Sequence, residues 1–274
     1  MTFQPSPDLQ AQLRELASHP DETAIVSDID GTICRIAPSP DEAFVPEEAT
    51  RLLAQLASHF SVVALLSGRC VSDMFRMVPV ERLLMAGNHG MEWLCAGERT
   101  VSEQVASEPE RMERIVDELR ERVGPDVLVE PKGLSISFHY RSAPDVEKVR
   151  QRLISILEPF ARSRALRLQQ GRMVVDLRPD CPLDKGTALE EILRAHGLRR
   201  VLVLGDDLTD VSAFRRLREL RRSGGASGVA IGVVSAETKD RIAREADYLV
   251  SGPDDIIFLL RELLDLVALA KSSS

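Results

Sequence analysis

The stretch TAIVSDIDGTI (residues 23–33) decides the fold prediction, because an apolar run ends there in two carboxylates. Residues 23–30 are typical of a buried strand with acidic residues at its end. Asp28 and Asp30 stand one residue apart, and like charges at that spacing repel each other. The pair therefore requires either a helix to cap or a cation between the carboxylates.

Further apolar runs alternate with helical stretches. A second predicted strand (61–69) ends in a polar loop, and a third (199–210) ends in carboxylates. Two more strands are predicted at 228–234 and 246–250, and a helix with one apolar face at 47–60. This alternation predicts an α/β fold with a doubly wound, Rossmann-like parallel sheet covered on both faces. In such sheets the ligand site lies beyond the carboxyl ends of the strands.

The middle of the chain has a different pattern. Helical spacing at 108–124 and 145–161 alternates with candidate hairpins at 127–141 and 165–179. Helix, hairpin, helix and hairpin in succession predict an α+β unit with an antiparallel sheet. We therefore expect a core domain formed by residues 1–104 and 181–274, with a cap domain, or lid, inserted at 105–180.

The composition is that of an ordinary globular protein with an acidic balance of charge. The 274 residues are 44% apolar and 28% charged, and 43 acidic against 35 basic residues give a formal charge of −8. Nucleic-acid binding needs a basic surface that displaces counterions, so the balance argues against that function. A local cationic pocket can still hold a phosphorylated substrate.

The sequence indicates neither a membrane protein nor a disulfide framework. The N-terminal MTFQPSPDLQ lacks the basic start and apolar run of a signal peptide. The most apolar stretch, 256–270, is too short and too charged to span a bilayer. Four scattered cysteines without a CxxC pair indicate reduced thiols. We expect a cytoplasmic protein with no nucleic-acid or membrane partner.

Carboxylates follow two of the predicted strands and favour a metal site at one edge of the sheet. Asp28 and Asp30 follow the first strand; Asp206, Asp207 and Asp210 follow the third. Asp28 and Asp206 would repel each other strongly at a shared edge unless a divalent cation lay between them. Hard oxygen ligands and only 5 histidines in the chain indicate magnesium rather than zinc.

An aspartate beside a metal ion is also a nucleophile for a phosphoryl group. In this interpretation Asp28 attacks in line, while the metal and Lys185 offset the charge of the phosphate. Ser67 and backbone N–H groups around 29–31 bind the phosphate oxygens. Asp30 protonates the leaving alcohol and then activates water. The predicted reaction is therefore transfer of a phosphoryl group to an aspartate, followed by hydrolysis.

Eight short motifs occur in an order and at intervals that resemble one family of enzymes. The first four are DIDGT (28–32), SGR (67–69), DKG (184–186) and GDDLTD (205–210). They resemble motifs of the haloacid dehalogenase superfamily of aspartate-nucleophile phosphatases. The other four are GNHG (87–90), VEPKG (129–133), HYR (139–141) and DLRPDCPLDKG (176–186). They resemble the trehalose-6-phosphate phosphatases within it, and the ordered set is far more specific than a lone DxDGT.

The resemblance implies roles for residues of the core. The implied catalytic residues are Asp28 as nucleophile, Asp30 as general acid and base, Ser67 and Lys185. The implied magnesium ligands are the Asp28 and Asp206 side chains, the Asp30 carbonyl and, through water, Asp207 or Asp210. The implied substrate contacts on the core side of the cleft are Arg69, Asn88 and His89.

The resemblance also implies that the inserted segment is a lid that closes over the cleft and reads the sugar. Its implied substrate contacts are Glu130, Lys132, Arg141 and Asp176. Asp176 stands where the family usually has glutamate, which is one methylene longer. The implied substrate is trehalose 6-phosphate, and we expect a monomer.

Other interpretations stay open at this point. A phosphatase of sucrose phosphate, of a glycosylglycerate phosphate or of an aminocyclitol-disaccharide phosphate would share the core motifs. A catalytically dead homologue would bind a sugar phosphate as a sensor or partner a synthase, although the intact Asp28, Asp30 and Lys185 argue against this. Apart from the resemblance, Glu130 and Lys132 beside a hairpin turn would be interpreted as an exposed ion pair.

Overall fold

The computed structural model describes residues 3–171, 173–234 and 239–272. The chain is divided into two compact units. The first, here the core unit, comprises Met1–Ile36, Ala43–Arg99 and Leu183–Ser274. The second, here the insert unit, comprises Ala37–Glu42 and Thr100–Pro182.

Strands and helices are numbered along the chain. The strands are β1 (Thr23–Ser27), β2 (Val62–Leu66), β3 (Leu84–Gly87), β4 (Glu92–Cys95), β5 (Glu98–Val101), β6 (Leu128–Pro131), β7 (Ile136–His139), β8 (Leu166–Gly171), β9 (Val174–Pro179), β10 (Arg200–Gly205), β11 (Ser227–Val233) and β12 (Tyr248–Val250). The helices are α1 (Pro7–Ser18), α2 (Glu47–Leu56), α3 (Val71–Met77), α4 (Glu108–Arg120), α5 (Val146–Arg162), α6 (Lys185–Ala195), α7 (Asp210–Ser223), α8 (Lys239–Glu245) and α9 (Pro253–Ser272).

The main sheet has the strand order β12-β11-β10-β1-β2-β3-β4-β5. Pairing is parallel from β12 to β3, and Ser27 lies opposite both Leu204 and Leu65. This confirms the predicted α/β fold. One expectation needs correction, because β4 pairs with β3 in the antiparallel direction and the sheet is mixed at that end. The short strands β3, β4 and β5 were not predicted, since a run of only four residues is too short to show a clear period.

Helices cover both faces of the parallel strands. Ile25 belongs to an apolar cluster with α1, α2 and α9, whereas Ala24 and Val26 belong to a second cluster with α6 and α7. Every residue of β1 is buried, which explains its continuous rather than alternating apolar pattern. The helices α2 and α4 end at Leu56 and Arg120, each before the end predicted from the sequence.

The insert unit contains an antiparallel sheet in the order β6-β7-β9-β8. One face carries Phe138, Val175 and Leu177, which pack in a cluster with residues of α4 and α5. Alternation places the polar residues of the same strands on the opposite face. In the part of the chain that the structure describes, no helix combines the length and apolar character needed to cross a bilayer.

Candidate active site

The carboxyl ends of β1 and β10 bring three aspartates together. The Asp28 N–H donates to the carbonyl of Leu204 near the end of β10 (3.0 Å). Since Leu204 is two residues before Asp206, this bond sets Asp28 close to Asp206. Asp28, Asp206 and Asp210 are buried, and each offers a carboxylate oxygen within 4.8 Å of those of the other two. Because β1 and β10 are parallel neighbours, aspartates that are far apart in the sequence form one acidic cluster at their carboxyl ends.

Lys185 supplies a cation to this cluster. It is the first residue of α6, which begins in a capping box between Asp184 and Thr187. Its Nζ lies 3.0 Å from Asp28 Oδ2 and 2.6 Å from Asp210 Oδ1. Burial by itself would lower the Lys185 pKa, but the charges of Asp210 and Asp28 raise it above its usual value. The side chain therefore stays an ammonium group, and its ion pairs with Asp28 and Asp210 offset the unfavourable position of a cation at a helix start.

The acidic cluster makes ionisation of its own carboxyls costly. Burial is the largest cause that raises the pKa of Asp28 from 3.8 to about 7; the Asp210 and Asp30 charges add to it, and Lys185 opposes it. The pKa of Asp206 is likewise raised well above its usual value by burial and then by Asp28 and Asp210. Like charges confined in a buried space require either bound protons or a compensating cation.

Asp210 organises the turn between β10 and α7. Its Oδ1 accepts from Lys185, while its Oδ2 accepts from the N–H groups of Asp206 and Asp207, both at 3.0 Å. A Cβ atom on Gly205 would lie 2.3 Å from the Asp210 Cγ, so the backbone approaches this carboxylate closely. Asp210 thus holds Lys185 and the Asp206 loop in place.

The donor set fits a divalent cation. Within the described residues, no hydrogen-bond donor reaches Asp28 Oδ1, although this atom is buried. The three carboxylates of Asp28, Asp206 and Asp210 carry more negative charge than Lys185 neutralises. Carboxylate oxygens are the ligands that magnesium prefers in proteins. Asp28 and Asp206 are the side chains that would hold such an ion, since both oxygens of Asp210 already accept hydrogen bonds.

The loop after β2 contacts the loop after β1. Arg69 donates from Nε to Asp30 Oδ2 (2.6 Å) and from Nη2 to Asp30 Oδ1 (2.9 Å), a bidentate ion pair with a buried guanidinium. The Arg69 N–H donates to the hydroxyl of Ser67, which is also buried. Arg69 therefore connects Ser67 with Asp30, and both lie at the same edge of the sheet as Asp28, Asp206 and Asp210.

Asn88 and His89 form a second layer behind this loop. The Asn88 N–H donates to the Arg69 carbonyl (2.7 Å), and the His89 N–H donates to the Ser67 carbonyl (2.9 Å). Both residues have positive φ, 48° and 59°, a region that asparagine and histidine adopt more readily than most side chains. A Cβ atom on Gly68 would meet the His89 ring at 2.8 Å, so the two loops are in close contact.

Glu92 is a residue that the sequence analysis missed. It is fully buried in β4, and its Oε1 accepts from Asn88 Nδ2 (2.7 Å) and from the Val71 N–H at the start of α3 (3.1 Å). Its Oε2 accepts from Arg99 Nε (2.9 Å). A glutamate beside GNHG in the sequence offered a weak signal, since nothing in the pattern showed it to be buried.

The insert unit gathers a second polar cluster. Lys132 Nζ lies 3.8 Å from Glu130 Oε2 and 3.9 Å from Asp176 Oδ1. His139 Nε2 lies 2.6 Å from Glu130 Oε2, and the Ser137 hydroxyl donates to Asp176 Oδ1. Lys132 is only 10% exposed, so the group is not the exposed ion pair of the simpler interpretation. Neither His139 nor Ser137 is among the site residues predicted from the sequence.

Two other predicted site residues are placed less centrally. Arg141 follows β7 by two residues and is half-buried. Asp207 is half-buried in the β10–α7 turn, where its N–H donates to Asp210. Its carboxylate is not part of the closest cluster among the described residues, which consists of Asp28, Asp206 and Asp210.

Comparison with known proteins agrees with this geometry. The profile of the family described as Trehalose-phosphatase matches residues 26–253. The Probable trehalose-phosphate phosphatase 3 of Oryza sativa is 30% identical over 271 residues, which cover 89% of this chain and 69% of that protein. The Trehalose-phosphate phosphatase of Mycobacterium marinum is 34% identical over 238 residues, covering 84% and 58%.

Solved structures show the same fold at lower identity. The C-terminal domain of the C. albicans trehalose-6-phosphate phosphatase superposes with a TM-score of 0.78 at 19% identity, covering 96% of this chain and 98% of that one. A haloacid dehalogenase-like hydrolase from Bacteroides thetaiotaomicron gives a TM-score of 0.58 at 14% identity, covering 89% and 100%. The chain belongs to the trehalose-phosphatase family, and it is a phosphatase, a phosphoric monoester hydrolase with a haloacid dehalogenase-like fold.

Proposed function

We propose that this chain hydrolyses trehalose 6-phosphate to trehalose and phosphate, with magnesium and through an aspartyl-phosphate on Asp28. The two oxygens of the Asp28 carboxylate are the observation that carries the proposal. Oδ2 lies 3.0 Å from Lys185 Nζ, and Oδ1 is buried with no hydrogen-bond donor among the described residues. A buried oxygen left unsatisfied is rare unless an ion or a ligand takes it.

The phosphate-binding groups lie at the ends of β1 and β2. Ser67 accepts from the Arg69 N–H and keeps its own hydroxyl hydrogen to donate. The Gly31 N–H donates to the Cys34 carbonyl (2.8 Å), so the phosphate contacts of this loop fall to the N–H groups of Ile29 and Asp30. Lys185 balances charge on the nucleophile and the phosphoryl group.

Bound magnesium would neutralise phosphoryl oxygens and the acidic cluster together. In the proposed site it would be held by the Asp28 and Asp206 side chains and the Asp30 carbonyl, with Asp207 or Asp210 reaching it through water. The raised pKa values of Asp28 and Asp206 support this, because a cation is needed to keep both groups ionised.

The proposed chemistry has two steps. Asp28 attacks phosphorus, the bond from phosphorus to the sugar oxygen breaks, and Asp30 gives a proton to the leaving oxygen. Asp30 then takes a proton from water, which attacks the same phosphorus and releases phosphate with Asp28 restored. Arg69 occupies both oxygens of Asp30, so this ion pair has to open before Asp30 moves a proton.

Sugar recognition is proposed for both units. The contacts proposed on the core are Arg69, Asn88 and His89, and those proposed on the insert are Glu130, Lys132, Arg141 and Asp176. We further propose that residues 1–104 and 181–274 form the phosphatase core and 105–180 a cap, in a monomeric, cytoplasmic enzyme. Size-exclusion chromatography with light scattering tests the monomer.

Phosphate release from a panel of esters tests the activity. The panel holds trehalose 6-phosphate, sucrose 6-phosphate, a glucosylglycerate phosphate, glucose 6-phosphate and p-nitrophenyl phosphate, each with magnesium and with excess chelator. We expect the highest kcat/KM on trehalose 6-phosphate, no turnover with chelator, and none in Asp28→Asn. Preference for another sugar phosphate would replace the proposed substrate, and binding without turnover on any ester would indicate a non-catalytic homologue.

A further inference from the structure

The polar face of the insert-unit sheet carries a row of side chains across three strands. The strand register sets Glu130 of β6 opposite Ser137 of β7, and Ser137 opposite Asp176 of β9. Residues in one row lie on one face, and so do residues two apart on one strand. His139 therefore shares this face with Ser137.

Each carboxylate of the row is held by the central strand. His139 Nε2 donates to Glu130 Oε2 (2.6 Å), and the Ser137 hydroxyl donates to Asp176 Oδ1. Lys132 lies between the two carboxylates, at 3.8 Å from Glu130 and 3.9 Å from Asp176. Ser137 is fully buried and His139 is 22% exposed, so both side chains are confined in these positions.

The array is costly as a purely structural feature. Desolvating three charged groups loses free energy that the ion pairs at 3.8 and 3.9 Å recover only in part. The opposite face of the sheet already forms the apolar cluster with α4 and α5, so the fold of this unit does not require a charged face. Fixed acceptors around one donor are what a preorganised ligand site contains.

The polar groups of the array indicate which part of a substrate it binds. Its two carboxylates repel the anionic oxygens of a phosphoryl group, while Lys132 and the buried Arg178, two residues from Asp176 on the same face of β9, balance their charge. Carboxylate oxygens accept hydrogen bonds from hydroxyl groups, and Lys132 donates to hydroxyl or ether oxygens. The array therefore matches the hydroxyl-rich, uncharged end of a sugar phosphate.

We propose that His139 and Ser137 are positioning residues, which hold the Glu130 and Asp176 carboxylates on either side of Lys132 in the geometry that binds sugar hydroxyls. The inference rests on the proposed hydrolysis of a disaccharide phosphate and deepens it. Both side chains are engaged with Glu130 and Asp176, so their effect falls on substrate binding rather than on the chemical step.

Steady-state kinetics with two substrates test the inference. The variants are His139→Leu, which removes the donor, His139→Gln, which restores a donor near Nε2, and Ser137→Ala. For trehalose 6-phosphate we expect His139→Leu to raise KM about 10- to 100-fold, the loss of one charge-assisted hydrogen bond. We expect Ser137→Ala to raise it about 3- to 10-fold, and His139→Gln to recover most of the wild-type KM. The kcat/KM for p-nitrophenyl phosphate should stay within about twofold of wild type in all three, since an ester without a sugar does not use the array.

The outcomes separate the inference from the proposed function. Wild-type protein that cleaves p-nitrophenyl phosphate but not trehalose 6-phosphate overturns the proposed substrate, and the inference with it. If the wild type cleaves trehalose 6-phosphate, two results for His139→Leu overturn the inference alone. One is an unchanged KM for trehalose 6-phosphate, and the other is an equal loss of activity on both esters. If His139→Leu does not fold, Ser137→Ala decides by the same criterion. His59→Leu, a half-buried histidine of the core unit, is the matched control and should change neither KM.

Discussion

A Cβ atom on Gly31 would stand 2.1 Å from Oδ2 of Asp206, so the loop after β1 and the carboxylate after β10 occupy adjoining space. Gly31 also has a φ of 81°, in the left-handed region that favours glycine. The absence of a side chain at position 31 is thus what admits Asp206 to the loop that carries Asp28 and Asp30. The acidic cluster depends on this contact.

Gly31→Ala should damage the site through collision rather than through backbone strain alone. We expect kcat/KM to fall at least about 100-fold and magnesium affinity to weaken, because Asp206 has to move away from Asp28. Gly97→Ala is the matched control: its φ is 83°, but no atom lies within 4 Å of the added Cβ. It should cost only the backbone term of about 1–2 kcal/mol and leave activity intact. Similar activity losses in both variants would contradict this prediction.

Magnesium should stabilise the folded protein. A ligand that binds only the folded state at about 100 times its Kd adds about 2.7 kcal/mol, which shifts Tm by several degrees in a chain of this size. We expect this rise on adding millimolar magnesium to chelator-treated protein, and its loss in Asp206→Asn. Asp265→Asn, on the exposed side of α9, should keep the full rise. If Asp206→Asn keeps the full rise in Tm on adding magnesium, Asp206 is not a ligand of the ion.

Without a metal ion, Asp28→Asn should stabilise the protein at alkaline pH. The pKa of Asp28 is raised from 3.8 to about 7, first by burial and then by neighbouring carboxylates, against the effect of Lys185. The folded state therefore holds a proton that the unfolded state has lost, and the free energy of unfolding falls as pH rises from about 4 to about 7. Each pKa unit corresponds to about 1.4 kcal/mol, so the penalty at pH 8 amounts to a few kcal/mol.

Thermal melts of chelator-treated protein check this prediction. Asp28→Asn should melt several degrees above wild type at pH 8 and close to it at pH 4, where wild-type Asp28 is protonated as well. Saturating magnesium at pH 8 should remove the advantage, since the ion compensates the charge that asparagine lacks. A variant that melts below the wild type at pH 8 in chelator would show that the ion pair with Lys185 outweighs burial.

Glu92→Gln should destabilise the protein although the two side chains have the same shape. Glutamine offers one acceptor oxygen, so its amide has to face either Arg99 or the donors of Asn88 and Val71. We expect a loss of about 2–4 kcal/mol in the free energy of unfolding, together with a raised KM for trehalose 6-phosphate as Asn88 loses its support. Urea denaturation measures the first effect. Glu98→Gln, on the neighbouring strand and exposed, should change neither quantity.

The arrangement of the main sheet followed from the sequence because its strands are buried on both faces. Continuous apolar runs such as Ala24–Ile25–Val26 have few structural alternatives, and the carboxyl ends of parallel neighbours meet at one edge. The meeting of Asp28 with Asp206 was therefore predictable without coordinates. The antiparallel pairing of Leu84–Gly87 with Glu92–Cys95 was not, since strands of only four residues have no distinctive period.

Contacts between polar side chains were much harder to predict. The bidentate pair of Arg69 with Asp30 depends on the conformations of two loops, which no periodic pattern describes. The buried position of Glu92 depends on a strand that the sequence did not reveal. Alternation placed Ser137 and His139 on the polar face of their strand, but their partners follow from the register, and a shift of one residue would exchange the faces.

The sequence by itself thus determined a parallel sheet of apolar strands with acidic residues at their ends, because burial of continuous apolar runs depends on composition along the chain. Only the tertiary structure decided that Asp210 joins Asp28 and Asp206, which oxygen of Asp28 is left without a donor among the described residues, and which side chains hold Glu130 and Asp176. Hydrogen bonds and ion pairs act over about 3–4 Å, so they depend on register and loop conformation, which composition along the chain does not specify.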